Sequence, residues 1–258
     1  MSCTLVSCYY QLNQSKHLPY EYDTWIKNFL LNLNDVNVII FVGQKEKDYL
    51  KEIIQKNANI KCILIVKELD DLPLSKQYNS EFWNGQARID PELHKSGRGQ
   101  DCYKVWNSKF HFLQEAIELN PFGCDKFIWN DIGNVRDPAI INTCLTKVYP
   151  NAAAISSDKL DIVLLGGFND PAQLFFQHEV HFSGSMFGGG KEILLELCTL
   201  FYLYFDIYVR KGLFIGCDQQ ILATVFLKNP DKFNCVVPQT VNGNHDIDIW
   251  FYLYKYYS

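Results

Sequence analysis

The sequence predicts an α/β domain on a mostly parallel sheet, and three observations carry that expectation. The runs VNVIIFV (36–42) and IKCILIV (60–66) are continuous, apolar and of strand length, as expected of strands buried on both faces in a parallel sheet. Stretches of helical periodicity separate the early strands, so strand, helix and strand alternate over roughly the first 65 residues, the layout of a doubly wound fold. A short strand, KFIW at 126–129, runs straight into Asn130-Asp131-Ile132-Gly133. That order puts a carboxylate at the carboxyl edge of the sheet, where open α/β folds bind ligands.

The elements follow in order. Thr4 to Tyr10 is β-rich and supplies the first buried strand. Trp25, Phe29 and Leu33 recur at helical spacing behind Asp23, predicting a helix over 23–33 with Asp23 as its cap. The strand over 36–42 ends at Gly43, an amphipathic helix covers 45–56, and the next strand covers 60–66. The polar segment 68–101 contains SGRGQ at 96–100. It predicts a long loop with short helices, of the kind that often forms a binding lid. One long helix is expected over 101–119, with Val105, Phe112, Ala116 and Leu119 on its apolar face and Asn120-Pro121 as its stop. After KFIW come weaker strands over 152–156 and 161–165. A strand over 178–187 is followed by three glycines, an aromatic-rich helix over 191–209, a helix over 217–227 with Asp218 near its start, and a strand over 233–237. There is no internal repeat, linker or low-complexity segment, so one domain is expected over residues 1–258.

Composition narrows the function. Lys plus Arg number 24 against 29 Asp plus Glu, a formal net charge of -5, which excludes a protein that coats nucleic acid. A local nucleotide site needs no such excess. The arginines are Arg88, Arg98, Arg136 and Arg210 alone. None of the nine cysteines forms a C-x-x-C pair, so zinc-ribbon and thioredoxin motifs are absent. Cys8, Cys62 and Cys198 lie in apolar runs and read as small buried hydrophobes, which points to a reducing, cytoplasmic compartment. The start, MSCTLVSCYY, lacks the basic and long apolar regions of a signal peptide. The most apolar stretch, 193–209, carries Glu196 and Asp206 and falls short of the ~20 residues of a membrane span.

Three segments carry candidate chemistry. In KFIWNDIG, Asp131 is placed to hold a divalent cation or a ribose hydroxyl, or is a turn former beside Gly133. In FSGSMFGGGKE (182–192), glycines allow close backbone approach, and the helix start at Lys191 could receive an anion; tight packing is the plainer reading. It is not a Walker A loop, because Ser185 stands where the first Gly belongs and Glu192 replaces Ser/Thr. In GCDQQIL (216–222), Asp218 and Gln219 sit where a loop becomes a helix, as a functional pair or as a cap. His178 and His181 do not form H-E-x-x-H, and His245 lies in VNGNHDID beside Asp246 and Asp248. No G-x-S-x-G elbow supports a serine hydrolase.

Taken together, TLVSCYY, YKVWNSKFHFLQEAIELNPF, FIWNDIG, FSGSMFGGGKE and DQQIL resemble the HtrL/YibB family in order and spacing, over about residues 4 to 227. The resemblance implies a GT-A-like, nucleotide-diphospho-sugar transferase fold, similar in layout to glycogenin-like transferases. It implies a glycosyltransferase that moves a sugar from a nucleoside diphosphate, most simply UDP, to a glycan acceptor, with Mn²⁺ or Mg²⁺ at the diphosphate. An inactive sugar- or nucleotide-binding module and a nucleotide-sugar hydrolase are the alternatives.

Position by position, Asp131 matches the first Asp of the D-x-D motif that binds ribose and metal. Ser183, Gly184 and Ser185 match the small-residue segment on the acceptor side, and Asp218 and Gln219 match the D-Q pair. His245 is a poor match to the late metal-binding His. Asp131 and Asp218 are thus the expected catalytic residues, and Asp131 and His245 the expected metal ligands. Ser7, Tyr9, Lys109, Asn130, Gly184, Gln219 and Lys191 are the expected donor contacts. The second Asp of D-x-D is Gly133, a glycine the family pattern shares. Asp137 could substitute for it, or Lys109, Arg136 or Lys191 could neutralise the phosphates without a metal.

Overall fold

The computed structural model describes residues 2–92, 97–170, 172–240 and 243–258. Ser96 of the SGRGQ segment and Val241 and Asn242 of the late loop lie outside the described residues.

The strands are β1 (Cys3–Tyr9), β2 (Val36–Val42), β3 (Ile60–Val66), β4 (Lys126–Asn130), β5 (Leu160–Leu164), β6 (Phe182–Gly190) and β7 (Phe233–Val236). They form one seven-stranded sheet in the order β3-β2-β1-β4-β6-β5-β7. β6 runs antiparallel to both β4 and β5, and every other pairing is parallel. The order turns back at β1 and β4, which meet in the middle of the sheet. This is the expected α/β class, with β2 and β3 where continuous apolar runs placed them. β3, however, is not buried on both faces. It is the edge strand, and Ile63 and Val66 are exposed because, among the described residues, no further strand or helix layer covers them.

The helices are α1 (Pro19–Asn32), α2 (Gln44–Ile54), α3 (Pro73–Gln77), α4 (Ser80–Arg88), α5 (Gln100–Asn107), α6 (Lys109–Leu119), α7 (Lys191–Arg210) and α8 (Asp218–Lys228). Because side chains alternate across a strand, β1 sends Val6 and Cys8 into one core and Cys3 and Leu5 into the other. The first core takes Phe110 and Phe112 of α6, Leu194 and Phe201 of α7 and Ile221 of α8. The second takes Ile26 and Phe29 of α1, Leu50 and Ile53 of α2 and the C-terminal Leu253, Tyr254 and Tyr257. Among the described residues no helix is long and apolar enough to cross a membrane.

Four further expectations change. First, α1 starts at Pro19 rather than at 23. Pro suits the first helical position, and the Leu18 N–H donates to Glu21 Oε2 at 2.8 Å. Asp23 instead accepts from Lys27 at 2.7 Å and from the Tyr49 hydroxyl at 2.9 Å. Second, the long helix over 101–119 is two helices. Ser108 turns its hydroxyl back onto the Lys104 carbonyl at 2.7 Å, a bond that competes with the helical ladder. Asn107 ties the Tyr103 and Ile215 carbonyls at 2.9 and 2.7 Å. The break leaves Lys109 in the first turn of α6. Third, residues 152–156 form turns, not a strand. The buried Lys126 ammonium takes the carbonyls of Ala152 and Ile155, and Asp161 takes the Ser156 N–H and hydroxyl, so this segment makes no strand ladder. Fourth, the strand expected over 178–187 starts only at Phe182 and runs on through the three glycines at 188–190, which belong to β6. A Cβ at Gly188 would meet Ile128 and the Tyr257 hydroxyl within 3.0 Å, and one at Gly189 would meet the Lys159 carbonyl at 2.7 Å. They serve close packing between strands.

Candidate functional site

A cleft of about 740 Å³ opens at the carboxyl edge of the sheet. Tyr9 and Tyr10 reach it from the end of β1, Asp131 and Gly133 from the turn after β4, and Lys109 from the first turn of α6. Because β6 is antiparallel, its early residues Gly184 and Ser185 arrive at the same edge, facing Asp218 and Gln219 at the start of α8. Trp106 and Arg98 form one wall and Trp250 and Phe251 another.

Lys109 ties the centre together. Its Nζ lies 3.2 Å from Asp131 Oδ1, 3.1 Å from Asp218 Oδ2 and 2.8 Å from the Gly184 carbonyl. Lys109 and Asp218 are only 4% and 5% exposed at the side chain, whereas Asp131 is 33% exposed and faces the cleft. Burial opposes the charge on Lys109, but the two carboxylates outweigh it and hold the ammonium above the usual lysine range. Asp218 is raised above the ordinary carboxylate range, chiefly by burial, with Lys109 pulling the other way. Asp131 is further fixed by the Trp129 indole N–H at 2.7 Å and by its own N–H on the Ser185 carbonyl at 2.8 Å. Gly184 is required by contact: a Cβ there would lie 2.9 Å from both Asp218 carboxylate oxygens.

Of the residues singled out in the sequence, Asp131, Asp218, Lys109, Tyr9, Gly184 and Gln219 line one cleft. The carboxylates of Asp131 and Asp218 share a nitrogen, so they stand well inside the ~10 Å that one sugar would span. Other candidates lie elsewhere. Ser7 is fully buried and points, by strand alternation, toward the α1–α2 side; its hydroxyl has no hydrogen-bond partner among the described residues. Asn130 is also fully buried. It acts one layer back, donating to the Asp131 carbonyl at 3.1 Å and accepting from the Tyr254 hydroxyl at 2.8 Å. Lys191 sits at the opposite edge of the sheet, where antiparallel β6 ends, and pairs with Asp125 at 2.9 Å. His245 is exposed, outside the cleft wall, with Nδ1 3.2 Å from the Gln239 carbonyl. Asp137 caps the turn at Pro138–Ile140 by accepting from the Ala139 N–H. His178 lines the cleft, whereas His181 is buried and stacks on Phe168.

The sequence reading missed the aromatic frame. Tyr22 and Trp25 of α1 fill the space beside Gly133, where a Cβ would lie 3.1 Å from Tyr22 Cε1 and 3.3 Å from Trp25 Cε3. Ser183 and Ser185 donate to the Trp250 carbonyl at 2.8 and 3.3 Å, docking the C-terminal segment on the cleft. Trp129, inside KFIW, was the one visible signal: a Trp two residues before the carboxylate has an N–H that needs a partner.

These residues do not build a divalent-cation site. Aromatic rings crowd the place of a second D-x-D carboxylate, His245 is not in the cleft, and an ammonium already stands between Asp131 and Asp218. Among the described residues no group of three His, Cys, Asp or Glu is arranged to hold a metal. The thiols are equally unsuited to attack: burial pushes Cys102 up to about 12 and Cys8 and Cys217 higher still.

The model of a family of bacterial proteins of unknown function, HtrL_YibB, matches residues 4–257. The chain belongs to the HtrL_YibB family. No curated protein matches the chain significantly. The five segments by which the sequence resembles HtrL/YibB each bring a residue to the cleft. TLVSCYY contributes Tyr9, the break within YKVWNSKF contributes Lys109, FIWNDIG contributes Asp131, FSGSMFGGG contributes Gly184, and DQQIL contributes Asp218. In this HtrL_YibB chain, segments far apart in sequence thus share one place.

Proposed function

We propose that this HtrL_YibB protein is a glycosyltransferase on a GT-A-like fold, moving a sugar from a nucleoside diphosphate to a glycan hydroxyl. The observation that carries the reading is the convergence of Asp131 and Asp218 on Lys109 at the carboxyl edge of a mostly parallel sheet. This edge, where the strand order turns back between β1 and β4, is where open α/β sheets take nucleotides.

In this reading Tyr9 and Tyr10 at the end of β1 receive the base, and the half-exposed Asp131 accepts hydroxyls of the ribose or donor sugar. Asp218 faces the acceptor. An acceptor oxygen bonds to the anomeric carbon as the bond to the diphosphate oxygen breaks; the electron pair leaves with the nucleoside diphosphate and the hydroxyl proton passes to a base. A desolvated carboxylate whose proton affinity is raised is a better base than an exposed one, and Asp218 has that environment. Lys109 keeps Asp131 and Asp218 at a fixed separation. Trp106, Trp250 and Phe251 supply apolar faces for sugar rings.

Incubation with a panel of nucleotide sugars and oligosaccharide acceptors tests the reading. Transfer supports it, donor hydrolysis without transfer marks a hydrolase, and binding without turnover marks an inactive module. The binding-only alternative draws on Gly133, whose aromatic neighbours crowd the place of the usual second carboxylate.

A further inference from the structure

A leaving nucleoside diphosphate needs positive charge beside it, and the cations of this cleft differ in how committed they are. Lys109 is committed to Asp131, Asp218 and the Gly184 carbonyl. Arg98 pairs with Glu92 at 2.7 Å and approaches Asp90 at 3.9 Å. Lys191 is at the other edge of the sheet. Arg136 differs from all three. It is exposed, lines the cleft, and has no carboxylate within ion-pair distance among the described residues.

Arg136 is also held in place. Its guanidinium lies 4.4 Å from the Trp25 ring centroid and 5.5 Å from that of Phe251. Its Nε donates to the Gly133 carbonyl at 2.9 Å, and one terminal nitrogen lies 3.3 Å from His17 Nε2. His17 is 3.9 Å from Glu21 through its other nitrogen. Burial and then Arg136 lower the proton affinity of His17, which favours the neutral ring that can accept from Arg136. The other terminal nitrogen makes no hydrogen bond within the described protein, and Lys16, beside His17, lines the same rim. The cleft therefore holds both the carboxylates bound to Lys109 and an exposed, oriented guanidinium. At the position where D-x-D would present a carboxylate to a metal, this chain presents a carbonyl to an arginine.

Resting on the glycosyltransferase reading, we infer that Arg136, with Lys16 lining the same cleft, binds the donor diphosphate directly and replaces the divalent cation in this site. A fixed fork of N–H donors suits phosphate oxygens. Its two aromatic neighbours hold the guanidinium in position before the ligand arrives.

Calorimetric titration tests this with two probes, UDP and inorganic pyrophosphate, in excess EDTA, and with UDP again in Mn²⁺. UDP and pyrophosphate are expected to bind in EDTA, and Mn²⁺ to change UDP affinity less than about threefold. Arg136→Gln is expected to weaken both probes at least tenfold with a melting temperature within a few degrees of wild type, and Arg136→Lys to recover only part of the loss. UDP binding that requires Mn²⁺, or undiminished binding by Arg136→Gln, would overturn the inference and leave the transferase reading standing. Pyrophosphate binding without binding of any nucleoside diphosphate or nucleotide sugar would sink the transferase reading and keep the anion site. Binding of neither probe under any condition would end both.

Discussion

Lys109 Nζ stands 3.1 Å from Asp218 Oδ2, with both side chains almost wholly out of water. The two residues come from the starts of different helices, α6 and α8, and each start is set by a local feature. The Ser108 break begins α6 at Lys109, and the extended backbone at Cys217 begins α8 at Asp218. The contact is thus a tertiary consequence of where two helices begin.

Removing the ammonium should be costly. Lys109→Met leaves Asp218 buried without its partner, and breaking such a pair from one side costs about 3–5 kcal/mol. Denaturant unfolding at neutral pH should show a midpoint lowered accordingly, with native-like circular dichroism before the transition. A midpoint equal to wild type would mean the pair contributes nothing net.

Asp218→Asn should lower turnover far more than it weakens donor binding, because Asp218 is placed toward the acceptor. Single-turnover rates and donor titrations, run on the same variant, separate the two. Loss of donor binding in parallel would move Asp218 to the donor side.

Restoring the absent carboxylate should not create a metal site. In Gly133→Asp the new side chain meets Tyr22 and Trp25 rather than open cleft, and overpacking of this kind costs about 1–3 kcal/mol. Mn²⁺ titration should show no tight binding, and the melting temperature should fall. Micromolar Mn²⁺ binding by the variant would show that the aromatic shelf does not exclude a ligand.

His111 is a pH-sensitive element outside the cleft. It stacks on Tyr202 with ring centroids 3.8 Å apart, and burial followed by Lys67 lowers it from 6.5 to about 4. A depressed folded-state value means its contribution is fully present above pH 6.5 and is lost as pH falls toward 4. His111→Phe should keep the stack and flatten the stability profile over that interval. An unchanged slope between pH 6.5 and 4 would assign the acid sensitivity to other groups.

How legible the fold was depended on how local its causes were. β2 is buried on both faces and β3 is a partly exposed edge strand, yet both appeared in the sequence with their observed boundaries, because a continuous apolar run needs no partner to be recognised. β6 was harder. Its glycines resemble a ligand loop, and only the close approach of Ile128, Tyr257 and Lys159 shows why they are strand residues. The break at Ser108 was hidden because its causes include the distant Ile215 carbonyl. In the site, Asp131 was legible from KFIW running into Asn-Asp-Ile-Gly, and Asp218 from its place at a helix start. The direction of β6 was not legible, and that direction brings Gly184 to the cleft and carries Lys191 away from it. Arg136 stood out as one of few arginines, but its freedom from carboxylates is a property of the assembled cleft.

The most direct test of the central claim is nucleoside diphosphate release from a nucleotide-sugar panel, with and without oligosaccharide acceptors, by wild type and by Asp131→Asn. The account predicts release from at least one donor, stimulated by an acceptor. It also predicts release reduced at least a hundredfold in Asp131→Asn, with a melting temperature within a few degrees of wild type, since Lys109 keeps Asp218 as partner. No release from any donor, or release that Asp131→Asn leaves intact, would contradict it.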